Sequence, residues 1–211
     1  MKACLVGIHG WVDNEYTLRV AEQDRDCFFP VAGVLPSEAD TVPKLKARGF
    51  VGVKLHPRLN RYHPLDSVEL VKAAGEANLV VFLDTLFYVP GQPVVDPVIT
   101  IAEILAAAPE TKIVLLHAAG SRAVDLFEMG RAHPNVLLDL SLTMFRYSGS
   151  SLEWDLRFLM RELDQRVIIG SDFPEHTPQQ ALERFNALTH DIAEAKRDNI
   201  VRSNLERWLA S

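Results

Sequence analysis

The arrangement of apolar runs constrains the fold of this 211-residue chain more than any other feature. Seven short runs rich in Val, Ile, Leu and Phe recur along it, at residues 3–8, 28–34, 50–55, 79–83, 113–116, 136–140 and 167–169. Most are continuous rather than alternating, which is typical of parallel strands that are buried on both faces. Amphipathic segments of helical length separate the runs. This alternation predicts an α/β fold with a parallel sheet, either doubly wound or closed into a barrel.

Composition limits the number of domains and the kinds of partner. Because the chain has no internal linker or low-complexity tract, we expect one domain over residues 1–211. The formal net charge of −6 argues against nucleic acid or an anionic membrane surface, since both attract basic faces. No apolar run approaches the length of a membrane helix, and two cysteines are too few for a disulfide framework. We therefore predict a cytoplasmic protein whose partner is a small-molecule substrate.

Polar side chains follow five consecutive apolar runs at the point where each strand would end. They are Lys54 and His56, then Asp84, then His117, then Asp139 and Ser141, and finally Asp172. In a parallel barrel the carboxyl ends of the strands meet at one mouth, where active sites lie. Imidazole and carboxylate are ligands that zinc prefers in catalytic sites. Each residue alone could simply cap a loop or join a buried ion pair, but together they predict a metal or acid–base site.

The ordered set of motifs resembles the amidohydrolase-related family of metal-dependent TIM-barrel hydrolases and decarboxylases. The matching segments are residues 52–57, 113–120, 135–141, 170–174 and 199–207. The resemblance implies a TIM-like (β/α) barrel. It also implies that His117 binds metal or substrate, and that Asp172 binds the metal, accepts a proton from its water, or does both.

The sequence departs from the family pattern in two places. The family opens with a strand that ends in His-x-His and supplies two metal ligands, and no His-x-His occurs here. The match starts at the family's second strand, which would account for seven predicted strands instead of eight. The family also usually has a histidine where Asp84 stands. Three interpretations stay open: a truncated form of a longer protein, a seven-stranded relative with a mononuclear site, or a metal-free member, with or without catalysis.

The leading prediction is a metal-dependent hydrolase that cleaves an amide, lactone or similar bond with activated water. We expect three catalytic residues, Asp172, His117 and Lys54. A divalent metal, zinc by preference, would be held by His117, Asp172 and Asp84, and a metal-free enzyme is the alternative. The expected substrate-binding residues are His56, Arg58, Ser141 and His176.

Two other functions are compatible with the same motifs. One is a decarboxylase of the same family, and the other is a catalytically degenerate barrel that binds a ligand or a partner. A barrel without its first strand would also leave unpaired edges at residues 3–8 and 167–169. Because unpaired strand edges invite association, we expect a homodimer or a closed seven-stranded barrel.

Overall fold

The computed structural model describes residues 2–210 and contains the seven predicted strands. They are β1 (Ala3–Val6), β2 (Phe28–Gly33), β3 (Gly52–Leu55), β4 (Val80–Asp84), β5 (Ile113–Leu116), β6 (Val136–Asp139) and β7 (Val167–Ile168). The sheet order follows the order of the sequence. The pairings β1–β2, β2–β3, β3–β4 and β6–β7 are parallel. The predicted α/β class and parallel sheet are thus confirmed.

Helices connect the strands, as the amphipathic segments predict. The described α-helices are α1 (Asn14–Glu22), α2 (Val42–Ala47), α3 (Pro57–Asn60), α4 (Val68–Glu76), α5 (Pro97–Ala107), α6 (Phe127–Ala132), α7 (Thr143–Arg146), α8 (Leu152–Glu162), α9 (Pro178–Thr189), α10 (Glu194–Asp198) and α11 (Asn204–Ala210). Shorter 3₁₀ segments lie at Pro36–Thr41, Pro64–Ser67 and His117–Leu126, and a π-helical turn lies at Asn199–Ser203. Across residues 2–210, no helix has the length and apolar character needed to cross a membrane.

The chain divides into two compact units, Met1–Ile113 and Val114–Ser211. In the first unit β1 is half-buried, whereas every residue of β3 and β4 is buried. Helix α4 covers the strands with Leu70, Val71 and Ala74, all fully buried. Full burial of an aliphatic side chain contributes about 1.5–3 kcal/mol, so this layer stabilises the packing of α4 against β4.

In the second unit β5 and β6 are completely buried and β7 is only two residues long. The Arg166 carbonyl accepts a hydrogen bond from Leu138 of β6 at 2.8 Å, and the Ile168 carbonyl accepts one from Leu140, just after β6, at 3.0 Å. Because carbonyls alternate in direction along a strand, the Val167 carbonyl faces away from β6. It accepts from the Asn204 side chain at 2.8 Å. The edge that the sequence analysis expected to be unpaired at residues 167–169 is therefore covered at Val167 by the start of α11.

Candidate functional site

A sharp left-handed turn follows β5 and carries His117. The residues at positions 117–120 have φ angles of 63°, 41°, 57° and 60° in order. Each non-glycine residue in this region costs about 1 kcal/mol or more, so surrounding contacts must hold the turn. Thr143 Oγ1 donates to the His117 carbonyl at 2.6 Å, and the His117 N–H donates to Asp139 Oδ2 at 3.4 Å. These two contacts fix the backbone from which the His117 ring projects.

The His117 ring begins a buried chain of polar groups. Its Nδ1 lies 3.2 Å from Ser141 Oγ, and Ser141 Oγ donates to Asp139 Oδ2 at 2.6 Å. The Ser141 N–H donates to the other carboxylate oxygen, Oδ1, at 3.3 Å. All three side chains are less than 5% exposed: His117 3%, Asp139 3% and Ser141 4%. Asp139, which the sequence analysis placed among the polar strand-end residues without giving it a role, is therefore part of this cluster.

The environment of Asp139 contains groups that raise the pKa of its carboxyl and groups that lower it. Burial, the largest cause, raises its pKa above the ordinary value. The charge of His117 and the hydrogen bonds from Ser141 and from the His117 backbone favour the carboxylate and oppose that rise. Asp139 thus binds a proton more readily than a solvated carboxyl, and its donors reduce that tendency.

Asp172 lies on the other side of the His117 ring. Its Oδ1 is 4.0 Å from His117 Nε2, and 31% of its side chain is exposed. Asp172 also has a positive φ of 52°, a strained backbone of the kind that is common at functional positions. The separation is too long for a direct hydrogen bond, so the two groups can face the same small molecule. Together they form a pair with one buried partner and one reachable from solvent.

His176 lies close to this part of the second unit. Its ring stacks on Phe145 of α7, with centroids 3.7 Å apart and planes inclined by 17°. Both side chains are half-buried. The stacking holds the His176 ring in one orientation, which is compatible with its expected contact with substrate but does not require one.

The first unit holds a second polar cluster where β3 and β4 end. His56 Nε2 lies 3.2 Å from Asp84 Oδ2, and Asp84 Oδ1 accepts from the Leu86 N–H at 3.0 Å. His56 and Asp84 are 4% and 1% exposed, and Lys54 is 6% exposed. A buried contact between a carboxylate and an imidazole is expected of an ion pair or of groups that bind substrate.

The turn after β3 adds three polar atoms to that unit. Arg58 Nε, Asn60 Oδ1 and Tyr62 Oη are buried, and none has a hydrogen-bond partner within residues 2–210. Burial raises the pKa of Tyr62, and the negative charge of Asp84 raises it further. The sequence analysis included Arg58 but missed Tyr62. The only signal in the sequence was the alternation of polar residues after His56-Pro57.

The structure distributes the expected site residues between the two units. His117, Ser141 and Asp172 lie together in the second, whereas Lys54, His56, Asp84 and Arg58 belong to the first. Within residues 2–210, no group of three or more His, Cys, Asp or Glu side chains is arranged to hold a metal ion. Catalytic zinc sites normally have three protein ligands. The ligand set of His117, Asp172 and Asp84 stays a prediction.

Comparison with known proteins identifies the family. The family model described as "Amidohydrolase" matches residues 10–210, so the chain belongs to the amidohydrolase family. The predicted resemblance is therefore confirmed. Comparison with curated proteins gives no match.

Solved structures support the barrel architecture. An uncharacterized TIM-barrel protein from Bordetella bronchiseptica superposes with a TM-score of 0.83 at 20% identity, over 99% of this chain and 77% of that one. An amidohydrolase from Burkholderia multivorans with bound zinc superposes with a TM-score of 0.68 at 16% identity, over 93% of this chain and 78% of that one. Dihydroorotase from Saccharomyces cerevisiae, in complex with 5-fluoroorotic acid, superposes with a TM-score of 0.68 at 15% identity, over 93% of this chain and 71% of that one. At these identities the likeness shows the fold, which is that of TIM-barrel proteins.

Proposed function

We propose that this protein is a hydrolase of the amidohydrolase superfamily that cleaves an amide, lactone or similar bond with a water activated by His117 and Asp172. The observation that carries the proposal is the 4.0 Å separation between His117 Nε2 and Asp172 Oδ1. Family membership supports the reaction class. The buried imidazole and the partly exposed carboxylate supply the two proton-handling groups that hydrolysis needs.

The distance between these atoms suits a single water molecule. Two hydrogen bonds of about 2.8 Å from one water can reach acceptors about 4 Å apart. As the water oxygen attacks the carbonyl carbon, one of the two groups takes a proton from it. The leaving nitrogen or oxygen receives a proton when its bond to the carbonyl carbon breaks. Asp172 suits both transfers: it takes the proton from the attacking water and then gives the same proton to the leaving group, which its exposure lets it reach.

The first unit has a candidate binding position for an anionic ligand. The Nε donor of Arg58 and the hydroxyl of Tyr62 are both buried, and neither has a hydrogen-bond partner among the described residues. An unpaired buried donor costs about 1–3 kcal/mol, which binding of a carboxylate would recover. We therefore propose that Arg58 can bind a ligand that carries a carboxylate.

Metal dependence is a separate part of the proposal. The zinc in the Burkholderia structure supports zinc as the first metal to test. A metal, if bound, would polarise the scissile carbonyl or acidify the attacking water. The steps above use only groups of this chain.

The test is a screen of lactones and N-acyl amino acids, followed by proton release at constant pH, with zinc, with manganese and with a chelator. We expect turnover by the wild type and a loss of about 10²–10⁴-fold in kcat for Asp172→Asn and for His117→Asn. His190→Asn is the matched control, because His190 is exposed and its Nδ1 lies 3.1 Å from the Ala187 carbonyl of α9.

The same preparations distinguish the other two functions. Release of carbon dioxide from unsaturated or aromatic acids, with no hydrolysis, would replace the hydrolase with a decarboxylase. Tight binding of a carboxylate without any turnover would indicate a binding protein. Full activity in both site variants would refute the role of the His117–Asp172 pair.

A further inference from the structure

We infer that Phe145 and His176 are positioning residues whose stacked rings hold the turn that carries Asp172. The stack joins this turn, which follows β7, to the segment after β6 that supports His117. The inference deepens the proposed function, because its catalytic consequence rests on the His117–Asp172 pair. The stack itself rests on the observed geometry alone. His176 thereby receives a different role from the substrate contact expected from the sequence.

The stretch that follows Asp172 has few contacts that could hold it in place. Among residues 173–180, His176 is the only residue that is not exposed. The Glu175 N–H donates to the Asp172 carbonyl at 3.0 Å, and a reciprocal pair of hydrogen bonds caps the start of α9. These bonds join residues that are close in sequence, so they fix the shape of the turn but not its place in the unit. His176 is therefore the contact that holds the middle of this stretch.

The partner of His176 lies on a segment that is well supported. Phe145 belongs to α7, and the first residue of α7, Thr143, donates to the His117 carbonyl at 2.6 Å. Thr143 is 1% exposed, and Met144 beside it is fully buried. The Met144 carbonyl accepts a hydrogen bond from an arginine of α9 at 2.8 Å. The segment that presents the Phe145 ring is thus the same segment that fixes the His117 backbone.

The two rings of the stack are in close contact. The centroids of Phe145 and His176 lie 3.7 Å apart, and the ring planes are inclined by 17°. This separation falls in the range of carbon atoms in van der Waals contact, about 3.5–4.0 Å, so one face of each ring is covered by the other. The interaction of an aromatic pair changes an equilibrium between a closed and an open state about 2–10-fold, beyond the effect of burial.

The stack acts on Asp172 through a short piece of chain. His176 follows Asp172 by four positions, and the bond from Glu175 closes the turn between them. A displaced His176 would therefore move the Asp172 backbone and change the 4.0 Å separation between Asp172 Oδ1 and His117 Nε2. A misplacement of about 1 Å at a reacting group can lower the rate about 100-fold. The Phe145–His176 stack thus keeps the two proton-handling groups at a distance that one water can span.

The experiment is backbone NMR of the wild type and of His176→Ala, Phe145→Ala, their double variant and His176→Phe, with chelator and without substrate. The readouts are the order parameter of the Asp172 N–H and the hydrogen exchange of the Glu175 N–H. We expect an order parameter of about 0.85 in the wild type and a fall toward about 0.6 in either alanine variant. The Glu175 N–H should exchange about 2–10-fold faster in these variants.

Two further variants separate stacking from other effects. His176→Phe keeps a ring but has no ring nitrogen, so it should restore both readouts. The double variant should be no more mobile than either single variant, because one contact needs both rings. The control is Phe158→Ala, which removes another aromatic pair of the same unit, Phe127 and Phe158, with centroids 4.9 Å apart. It should leave Asp172 and Glu175 unchanged, and circular dichroism confirms that each variant is folded.

Three results would overturn the inference: a mobile Asp172 turn in the wild type, an unchanged turn in folded His176→Ala, or a turn that stays mobile in His176→Phe. Because His176 lies in an exposed stretch, its variants test the inference even if Phe145→Ala fails to fold. Where a hydrolysed substrate is found, His176→Ala should lower kcat about 10–100-fold with little change in KM, and His176→Phe should keep the wild-type kcat and KM.

Failure of the proposed function looks different from failure of the inference. A turn that loosens in His176→Ala, in a protein that hydrolyses nothing, would uphold the stack and reject the hydrolase. Hydrolysis with an unchanged turn in His176→Ala would reject the stack alone. A raised KM in His176→Phe would assign the His176 ring to substrate binding and would also overturn the inference.

Discussion

Replacing Asn204 with alanine tests how the end of the chain covers β7. Asn204 is 1% exposed, and its Nδ2 donates to the Val167 carbonyl at 2.8 Å and to the Asp164 carbonyl at 2.7 Å. Its Oδ1 also accepts from Arg207. One buried amide therefore satisfies two backbone acceptors from the segment around β7.

The expected loss follows from those two carbonyls. A buried acceptor that loses its donor costs about 1–3 kcal/mol. The Val167 carbonyl belongs to a buried residue, so its lost hydrogen bond should account for most of this cost. The carbonyl of the half-buried Asp164 can be partly hydrated instead. We expect a loss of about 3 kcal/mol in the free energy of unfolding, which corresponds to a fall of about 6–12 °C in Tm for a chain of this length.

The assay is urea unfolding followed by circular dichroism, with Asn199→Ala as the matched control. Asn199 also donates to Asp164, but to its carboxylate at 2.7 Å, which water can reach when the amide is removed. The control should lose less than about 1 kcal/mol. Equal losses in the two variants, or a loss below about 1 kcal/mol for Asn204→Ala, would refute the idea that the buried carbonyls set the cost.

Three further predictions concern single groups. Tyr62→Phe removes a buried hydroxyl without a hydrogen-bond partner in the described residues, so Tm should stay the same or rise; a clear fall would show that the hydroxyl is paired. Burial raises the pKa of Cys4 to about 12, which leaves a thiolate fraction of about 10⁻⁴ at pH 8, so iodoacetamide followed by peptide mass spectrometry should label Cys27 first. Burial raises the pKa of Asp139, so this carboxyl lowers the stability of the wild type as the pH rises above the pKa that it has in the unfolded chain. The difference in unfolding free energy between Asp139→Asn and the wild type should therefore increase between pH 4 and pH 7. A difference that does not change with pH would contradict the raised pKa.

The sequence by itself determined the strands and the residues that follow them. A continuous apolar run can be buried on both faces only in a covered sheet, so the seven runs located β1–β7 without tertiary information. The alternation of faces along a strand placed Asp139 with Ser141. The motifs at residues 113–120 and 170–174 likewise predicted that His117 and Asp172 would serve one site, and the structure places them 4.0 Å apart.

Only the tertiary structure decided how the polar groups are paired. Periodicity gives the face of a side chain, but a hydroxyl such as that of Ser141 can bond to any neighbour within reach. Only the fold shows that it donates to Asp139 and lies 3.2 Å from His117 Nδ1. The contact between Asn204 and Val167 joins residues 37 positions apart, which no local pattern encodes. The physical reason is that burial of an apolar run is a property of the run, whereas a hydrogen bond depends on the positions of two groups that the fold brings together.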